Sequence, residues 1–451
     1  MRRFEIFVVL LMAFAGSATA LAQQPTATPA PPTAQDMAAL LQKITDLEDR
    51  VVMLEGQLRQ VKAQVVQQPA PTAPQAAEGA PTTQPTAPTQ APQVAAGQVP
   101  ANEPRLGGAG AAASKALNPD ISMIGDFIAS AGHNPVTPTP SFQMHESELG
   151  IQAIIDPYAR GDFFLSFGEE GVDLEEGYIT FTALPAGFVA RAGKMRAAFG
   201  VVNALHNHVL PWVNRPLVTT NLVGGEDGIN NAGFSGNHII PMPGKLFLDF
   251  TGQVFRGDSA DVFTASNKDD VSVVGHLRAY RDLTDNSNVT IGGSYSRGHN
   301  LFGTDFLTNL YGIDATYRWK PLTRSIYRSF TARSEFIWRQ QDQPATNACV
   351  TPVCPVFFAP GFQRAFGYYA SADYQFARRW FVGARYDNSD RAFNAHLNDN
   401  GGSVVLTYWP SEFSQIRGQY QVTQYAGNNK VSNELFIQIQ FALGAHGAHP
   451  F

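Results

Sequence analysis

This chain has few charged residues, almost no cysteine and no long uninterrupted apolar run. Asp, Glu, Lys and Arg make up 16% of its 451 residues, which argues against an ordinary cytosolic α/β enzyme. A formal net charge of −6 gives no basic surface for nucleic acid, so nucleic-acid partners are not expected. Because no segment approaches about 18 consecutive apolar residues, any crossing of a membrane has to use strands.

What the chain does have, from about Pro119 to Leu443, is one repeated unit. Each unit is a strand of roughly ten residues, apolar at every second position, followed by a turn. The last strand has two faces of opposite character, formed by Leu435, Ile437, Ile439, Phe441 and Leu443 and by Phe436, Gln438, Gln440 and Ala442. One face suits lipid and the other suits water. The pattern therefore predicts an all-β transmembrane barrel over residues 118–451.

Alternation and turn residues together predict sixteen antiparallel strands. They begin near Asp120, Gln143, Tyr158, Leu174, Gly187, Gly228, Leu246, Val271, Ser287, Leu307, Ser325, Arg364, Arg379, Gly402, Phe413 and Glu434. The alternation of apolar and polar residues is weak near Gly187 and near Gly228, so a barrel of fourteen strands is the alternative. An even count places both ends of the barrel on one side, where short turns are expected. Connections on the opposite side are expected to be mostly longer, above all Phe199 to Asp227 and Gln341 to Phe362.

Residues 1–22 have the pattern of an export signal. Arg2 and Arg3 precede an apolar run, and Ala20-Leu21-Ala22 offers a cleavage site before Gln23. A membrane anchor is the alternative, but the apolar run is too short to cross a bilayer. We therefore expect an exported protein, with residues 23–35 disordered after the signal.

Residues 36–67 predict a coiled-coil helix. Apolar residues recur at alternating spacings of three and four: Met37, Leu40, Ile44, Leu47, Val51, Leu54, Leu58, Val61 and Val65. This stripe favours self-association over an amphipathic helix lying on another domain, but the mixed chemistry at its positions leaves dimer and trimer open. Residues 68–117 are rich in Pro, Ala and Thr and predict a disordered linker.

Polar residues alternate with apolar ones along the strands, so the lumen is predicted to be polar and charged. The basic candidates are Lys194, Arg196, Arg278, Arg318, Arg333, Arg385 and Arg417. Because sixteen strands enclose a water-filled channel, a pore is the predicted function. The arginines have two interpretations: they pair with Asp162, Asp314, Glu335 and Asp387 to stiffen the wall, or they favour anions.

The segment from Phe199 to Asp227 is the candidate constriction. It carries His206, His208, Arg215, Glu226 and Asp227. An acidic loop facing a basic wall would produce a transverse field that orients charged or dipolar solutes.

Two histidine pairs are weak candidates for binding a divalent metal. His206 with His208, and His446 with His449, each lack a third and a fourth ligand nearby in sequence. No metal site or cofactor is therefore predicted. Cys349 and Cys354 lie in the second long connection, and in an exported protein this spacing predicts a disulfide.

Two other classes of function are less consistent with the sequence. A barrel hydrolase would need a nucleophile, but no Gly-x-Ser-x-Gly elbow is present, and no enzymatic activity is predicted. An outer-membrane receptor or metal-related transporter would need a folded plug, and residues 23–118 have too few large apolar side chains to form one.

The signal, the heptads and the barrel pattern together resemble the trimeric sixteen-stranded porins of bacterial outer membranes. The closest resemblance is to phosphate-selective and dicarboxylate porins with an N-terminal coiled coil, and it rests on architecture. It implies a homotrimer in outer-membrane lipid, a periplasmic coiled coil and passive diffusion of small hydrophilic solutes, with anion preference open. It also implies that residues 199–227, the third long loop, fold into the lumen. Since residues 444–451 extend beyond the last strand, either Phe441 or Phe451 is the terminal aromatic residue of the family pattern.

Overall fold

The structure, a computed structural model, describes residues 119–168, 171–345, 359–426 and 430–444. The predicted signal, coiled coil and linker lie outside these residues, as do Cys349, Cys354, His446 and His449. Within the described residues, one antiparallel sheet closes into a sixteen-stranded barrel, in which β1 pairs with β16 and every other pairing joins consecutive strands. The predicted barrel of sixteen antiparallel strands is confirmed.

The sixteen strands follow the chain in order around the barrel. They are β1 (Asp120–His133), β2 (Phe142–Asp156), β3 (Ala159–Gly168), β4 (Gly171–Phe181), β5 (Val189–Arg196), β6 (Asn230–Ile240), β7 (Leu246–Phe255), β8 (Ser272–Thr284), β9 (Ser287–Asn300), β10 (Gly303–Trp319), β11 (Ser329–Gln341), β12 (Gln363–Ala377), β13 (Trp380–Arg391), β14 (Asn394–Ser411), β15 (Ser414–Tyr425) and β16 (Lys430–Gly444). A short helix, α1 (Leu217–Leu222), lies between β5 and β6. In the described part of the chain, no helix is long and apolar enough to cross a bilayer.

The barrel has two unlike ends. We call the end where β1 begins and β16 finishes the turn side, and the opposite end the loop side. The turn side has tight connections such as 157–158, 285–286 and 378–379. Among the loop-side connections that the structure describes in full, 301–302 and 392–393 are equally short, so the connections on that side are mostly, but not all, longer. At these two places the flanking strands continue, with mostly polar residues, beyond the part of the barrel that has an apolar outer face.

The two faces of the strands have opposite exposure. In β16, Leu435, Ile437, Ile439, Phe441 and Leu443 are 41–58% exposed, whereas the four residues between them are at most 5% exposed. Exposed apolar side chains recur around the barrel, for example Ile313, Val404 and Ile416. This outer band suits lipid, and closure leaves no unpaired strand edge within it.

The barrel interior combines many buried polar side chains with an apolar region. An apolar cluster fills part of it, in which Trp212, Val218 and Leu222 of the third loop-side connection join Leu310 and Ile337 of the wall. The apolar region is there because the connection carries its own apolar side chains inward. Burial of that surface stabilises the connection in the barrel.

Candidate functional site

The third loop-side connection, residues 197–229, folds into the barrel, and we call it the inserted loop. It contains a single 3-10 turn (Asn207–Val209) and α1. Helix α1 packs against β11, β12, β13 and β14, on the far side of the barrel from β5 and β6. The inserted loop therefore crosses the lumen and narrows it.

Arginines from three wall strands bind the backbone of the inserted loop. Arg339 of β11 donates to the Leu222 carbonyl oxygen (3.1 Å), and Arg385 of β13 donates to that of Asn214 (2.7 Å). Arg417 of β15 donates to the Trp212 carbonyl oxygen (3.2 Å). A guanidinium suits this role because its several donors satisfy buried carbonyls and neighbouring side chains at once. Arg385 and Arg417, both candidates from the sequence, are thus buried against the loop.

Wall acceptors hold the beginning of the inserted loop. The Glu335 carboxylate accepts hydrogen bonds from the amides of Val201 (2.9 Å) and Val202 (2.8 Å). The Ala198 amide donates to the Gln253 side chain (2.7 Å). Removing an acceptor from such buried amides costs about 1–3 kcal/mol for each unpaired group. Glu335 therefore fixes the loop rather than pairing with an arginine.

Gly200 provides a test of this anchor. Its φ is +61°, and a Cβ added there would lie 2.6 Å from Oε2 of Glu335. In Gly200→Ala, an alanine would have to adopt the left-handed backbone conformation, which costs about 1–2 kcal/mol. Its Cβ would also displace the carboxylate that holds Val201 and Val202. We expect the substitution to loosen the loop, measured as increased single-channel current noise and faster proteolysis within residues 197–229.

Gly225→Ala is the matched control for Gly200→Ala. Gly225 lies in the same loop with φ +70°, but nothing lies within 4 Å of an added Cβ. Both variants carry the backbone cost, and only Gly200→Ala meets Glu335. Equal noise and equal proteolysis in the two variants would contradict the anchoring role.

Trp212 is the centre of the loop's apolar contact with the wall. It is fully buried, packs edge-on against Tyr369 of β12 at 5.2 Å between ring centroids, and lies under the Arg385 guanidinium at 4.8 Å. These aromatic and cation–π contacts add to the area that the ring buries. The loop therefore has a packed core as well as polar anchors.

A group of buried glutamates lines the wall on β2 and β4, and sequence alternation missed it. Its members are Glu146, Glu148, Glu175 and Glu176, each at most 8% exposed. The β1–β2 and β3–β4 registers shift so that His145 and Glu175 are extra residues on their strands. Such bulges turn consecutive side chains toward the same space. Strict period-two reading could not place Glu175 and Glu176 together, although two adjacent acids in a strand were a usable signal.

His206 of the inserted loop lies among these carboxylates. Its Nδ1 is 2.5 Å from Oε2 of Glu148, and its Nε2 is 2.7 Å from Oε2 of Glu176. Burial alone would lower the pKa of His206, but the carboxylates of Glu175 and Glu148 outweigh burial and hold that pKa well above its ordinary value.

His208 lies next to His206 and behaves differently. Its Nδ1 is 3.5 Å from Oε2 of Glu148. Burial lowers the pKa of His208 below the ordinary value, although Glu148 acts in the opposite direction. The structure thus places beside the glutamates one imidazole that favours the charged form and one that favours the neutral form.

The basic candidates of β5 form ion pairs with β4, and one of them also binds the loop. Arg196 ion-pairs with Glu175 and donates to the carbonyl oxygens of Glu226 (2.8 Å) and Asp227 (3.3 Å). Lys194 pairs with the exposed Asp173 at 3.2 Å. The basic candidates Lys194 and Arg196 thus neutralise neighbouring groups, and Arg196 fastens the end of the loop.

Arg215 and Glu226 complete the set of loop candidates. Arg215 donates to the carbonyl oxygens of Val202 (2.8 Å) and Leu205 (2.6 Å), and burial lowers its pKa to about 9. The Glu226 carboxylate is 3.3 Å from Nε2 of His145, and this hydrogen bond lowers the pKa of Glu226. Arg215 therefore organises the fold of the inserted loop, and Glu226 connects the loop to β2.

On the turn side of the inserted loop, a second group of arginines lines the lumen. Arg278 pairs with Asp249 (2.7 Å), and Arg333 pairs with Asp373 (2.5 Å). The side chains of these four residues remain 18–24% exposed inside the barrel. Arg318 lies within electrostatic range of both arginines. We call the space lined by these five residues the vestibule.

The lumen arginines differ in whether a carboxylate balances their charge. Arg385 pairs with Asp387 (2.7 Å) as the stiffening interpretation predicts, and Asp162 pairs with Arg160 (2.9 Å). Arg318 takes part in none of the ion pairs found among the described residues. Pairing and an unbalanced positive charge thus occur in the same lumen, at different positions.

Comparison with known proteins agrees with this architecture. No family model matches the chain. An uncharacterised protein of Aquifex aeolicus (strain VF5) is 28% identical over 396 residues, covering 75% of this chain and 81% of that protein. The anion-selective porin from Comamonas acidovorans matches with a TM-score of 0.50 and 11% identity, covering 72% of this chain and 99% of the porin. The outer-membrane channel DcaP of Acinetobacter baumannii matches with a TM-score of 0.47, 11% identity, and coverage of 72% and 96%. The fold is that of the sixteen-stranded porins.

Proposed function

We propose that this protein is an outer-membrane porin through which small hydrophilic solutes diffuse passively. The observation that carries the proposal is a closed sixteen-stranded barrel with an apolar outer band and an inserted loop that crosses its lumen. A barrel of this size has room for water inside, and the partly exposed arginines and aspartates of the vestibule are side chains that water reaches. The inserted loop then sets the width of the passage.

We further propose a modest preference for anions. The vestibule contains three arginines and two aspartates, and the Arg318 guanidinium has no carboxylate partner among the described ion pairs. An unpaired guanidinium in a confined aqueous space raises the local concentration of anions. The fold match to an anion-selective porin is consistent with this preference.

The setting and assembly belong to the same proposal. The turn side would face the periplasm, since both ends of the barrel lie there and the predicted coiled coil has to remain outside the membrane. A homotrimer would then be reinforced by the heptads of residues 36–67. Chemical cross-linking of the folded full-length protein should give a three-chain species, and a species of one chain at all concentrations would reject the trimer.

Planar-bilayer recording tests the function directly. The purified full-length protein should produce stepwise, ohmic conductance increases, with three sub-levels in each insertion if the trimer is correct. A salt gradient should give a reversal potential of the sign expected for chloride permeation. A folded protein that inserts but conducts no ions would reject the porin function.

A further inference from the structure

The contact between the inserted loop and the wall strands β2 and β4 contains more ligand-type groups than a simple anchor needs. The nearest ligand atoms of Glu148, His206 and His208 all lie within 4.8 Å of one another, and so do those of Glu146, Glu148 and Glu175. Glu148 belongs to both sets. All of these residues except His206 are more than nine-tenths buried.

Some atoms in this group have no hydrogen-bond partner. Nδ1 of His208 and Oε2 of Glu146 make no hydrogen bond within the described residues, whereas Oε2 of Glu175 has a 3.4 Å contact with Nδ1 of His206. His208 is only 5% exposed. Nδ1 of His208 points toward the shared carboxylate, 3.5 Å from Oε2 of Glu148. Burying such polar atoms without partners is costly. A ligand that accepts lone pairs from all of them would remove that cost.

The chemistry of the group selects the kind of ligand. Imidazole nitrogens together with carboxylate oxygens suit Zn²⁺, whereas Mg²⁺ and Ca²⁺ prefer all-oxygen sites. Ligand atoms about 2.0–2.2 Å from a tetrahedral Zn²⁺ lie roughly 3.3–3.6 Å from one another. The 3.5 Å separation between His208 and Glu148 already fits this spacing. The 2.5 Å hydrogen bond between His206 and Glu148 would have to open by about an ångström.

We propose that Glu148, His206 and His208, together with Glu146 or Glu175, form a binding site for a divalent transition-metal ion, with Zn²⁺ the best match. The ion would join the inserted loop to the barrel wall, since the two histidines come from the loop and the glutamates from β2 and β4. It would replace the proton that His206 shares with Glu148 and would bind the free nitrogen of His208. The vestibule lies outside this site.

The test is metal binding by the folded full-length protein in detergent. A background variant with His446→Ala and His449→Ala removes the histidines of the C-terminal tail as a second source of binding. After chelator treatment and dialysis, Zn²⁺ is added back, and the zinc content of each chain is measured. We expect about one tightly held Zn²⁺ per chain, and Co²⁺ in its place should show visible absorption typical of low-coordinate N/O sites.

His208→Ala and Glu148→Gln should each weaken Zn²⁺ binding by at least about tenfold, as loss of a ligand group does. His276→Ala is the matched control, because His276 is also buried on the lumen side but hydrogen-bonds to Ser294 (2.8 Å) away from the glutamates. Heat-dependent gel migration shows which variants form the barrel.

Two results would overturn the site. One is a background variant that retains neither Zn²⁺ nor Co²⁺, a measurement that does not depend on the folding of any site variant. The other is equal zinc retention in His208→Ala, Glu148→Gln and His276→Ala. A protein that binds zinc as expected but forms no channel would support the site and reject the porin function, so the two proposals fail separately.

Discussion

Deleting the middle of the inserted loop is expected to increase single-channel conductance several-fold. The change replaces residues 201–226 with a short Gly-Ser linker. Arg196 of β5 and Asn230 of β6 are paired neighbours in the sheet, so a short linker can connect the two strands without disturbing the barrel. The loop contributes the apolar core around Trp212 and the helix α1 that cross the lumen. Without it, the passage should approach the full bore of a sixteen-stranded barrel.

The matched control shortens the β1–β2 connection, residues 134–141. This connection also lies on the loop side, but its residues are half-buried or exposed. Its removal should leave the conductance close to that of the parent protein. Equal conductance in the parent and the inserted-loop deletion, with both proteins folded, would show that the loop does not set the width of the passage.

The barrel could be predicted from the sequence because its signal is local and repeated. The alternation in β16 is complete, and β1 begins at Asp120 as predicted. For β14, the sequence predicts a start at Gly402, eight residues later than the actual start at Asn394. Residues 394–401 are mostly polar. Pairing with β13, and with β15 at Asn400 and Gly401, rather than hydrophobicity makes them strand. The period-two pattern marks only the part of each strand whose outer face contacts lipid, and the strands extend beyond that part.

The site depends on contacts between distant segments, which period and composition do not encode. His206 was a weak metal candidate because no further ligand lies near it in sequence, yet Glu148 and Glu176 contact it from β2 and β4. Arg385 and Arg417 were correctly expected on the inner face, but their partners, the carbonyls of Asn214 and Trp212, belong to a loop whose path the sequence does not specify. Bulges added a second obstacle, because they move Glu175 out of the alternation.

Neutralising the vestibule arginines is expected to change the sign of ion selectivity. In the variant Arg278→Gln, Arg318→Gln, Arg333→Gln, Asp249 and Asp373 remain while all three positive charges are removed. The vestibule then changes from a net positive to a net negative charge. In a salt gradient, the reversal potential should move from the chloride side to the cation side. Arg318→Gln alone should give part of this shift. The Arg318 guanidinium forms no ion pair among the described residues, so no carboxylate balances the charge that this substitution removes.

Arg256→Gln is the matched control for charge. Arg256 pairs with Asp258, is 66% exposed and lies in the loop-side connection between β7 and β8 rather than in the vestibule. Its loss should therefore leave the reversal potential unchanged.

Salt concentration provides a second control. Screening shortens the range of these charges from about 10 Å at 0.1 M to about 3 Å at 1 M, so the difference between the triple variant and the parent should shrink at high salt. A triple variant that keeps the parent's reversal potential at 0.1 M would show that the vestibule charges do not select the ions, because an electrostatic filter cannot lose three charges at low ionic strength without a change in permeability ratio.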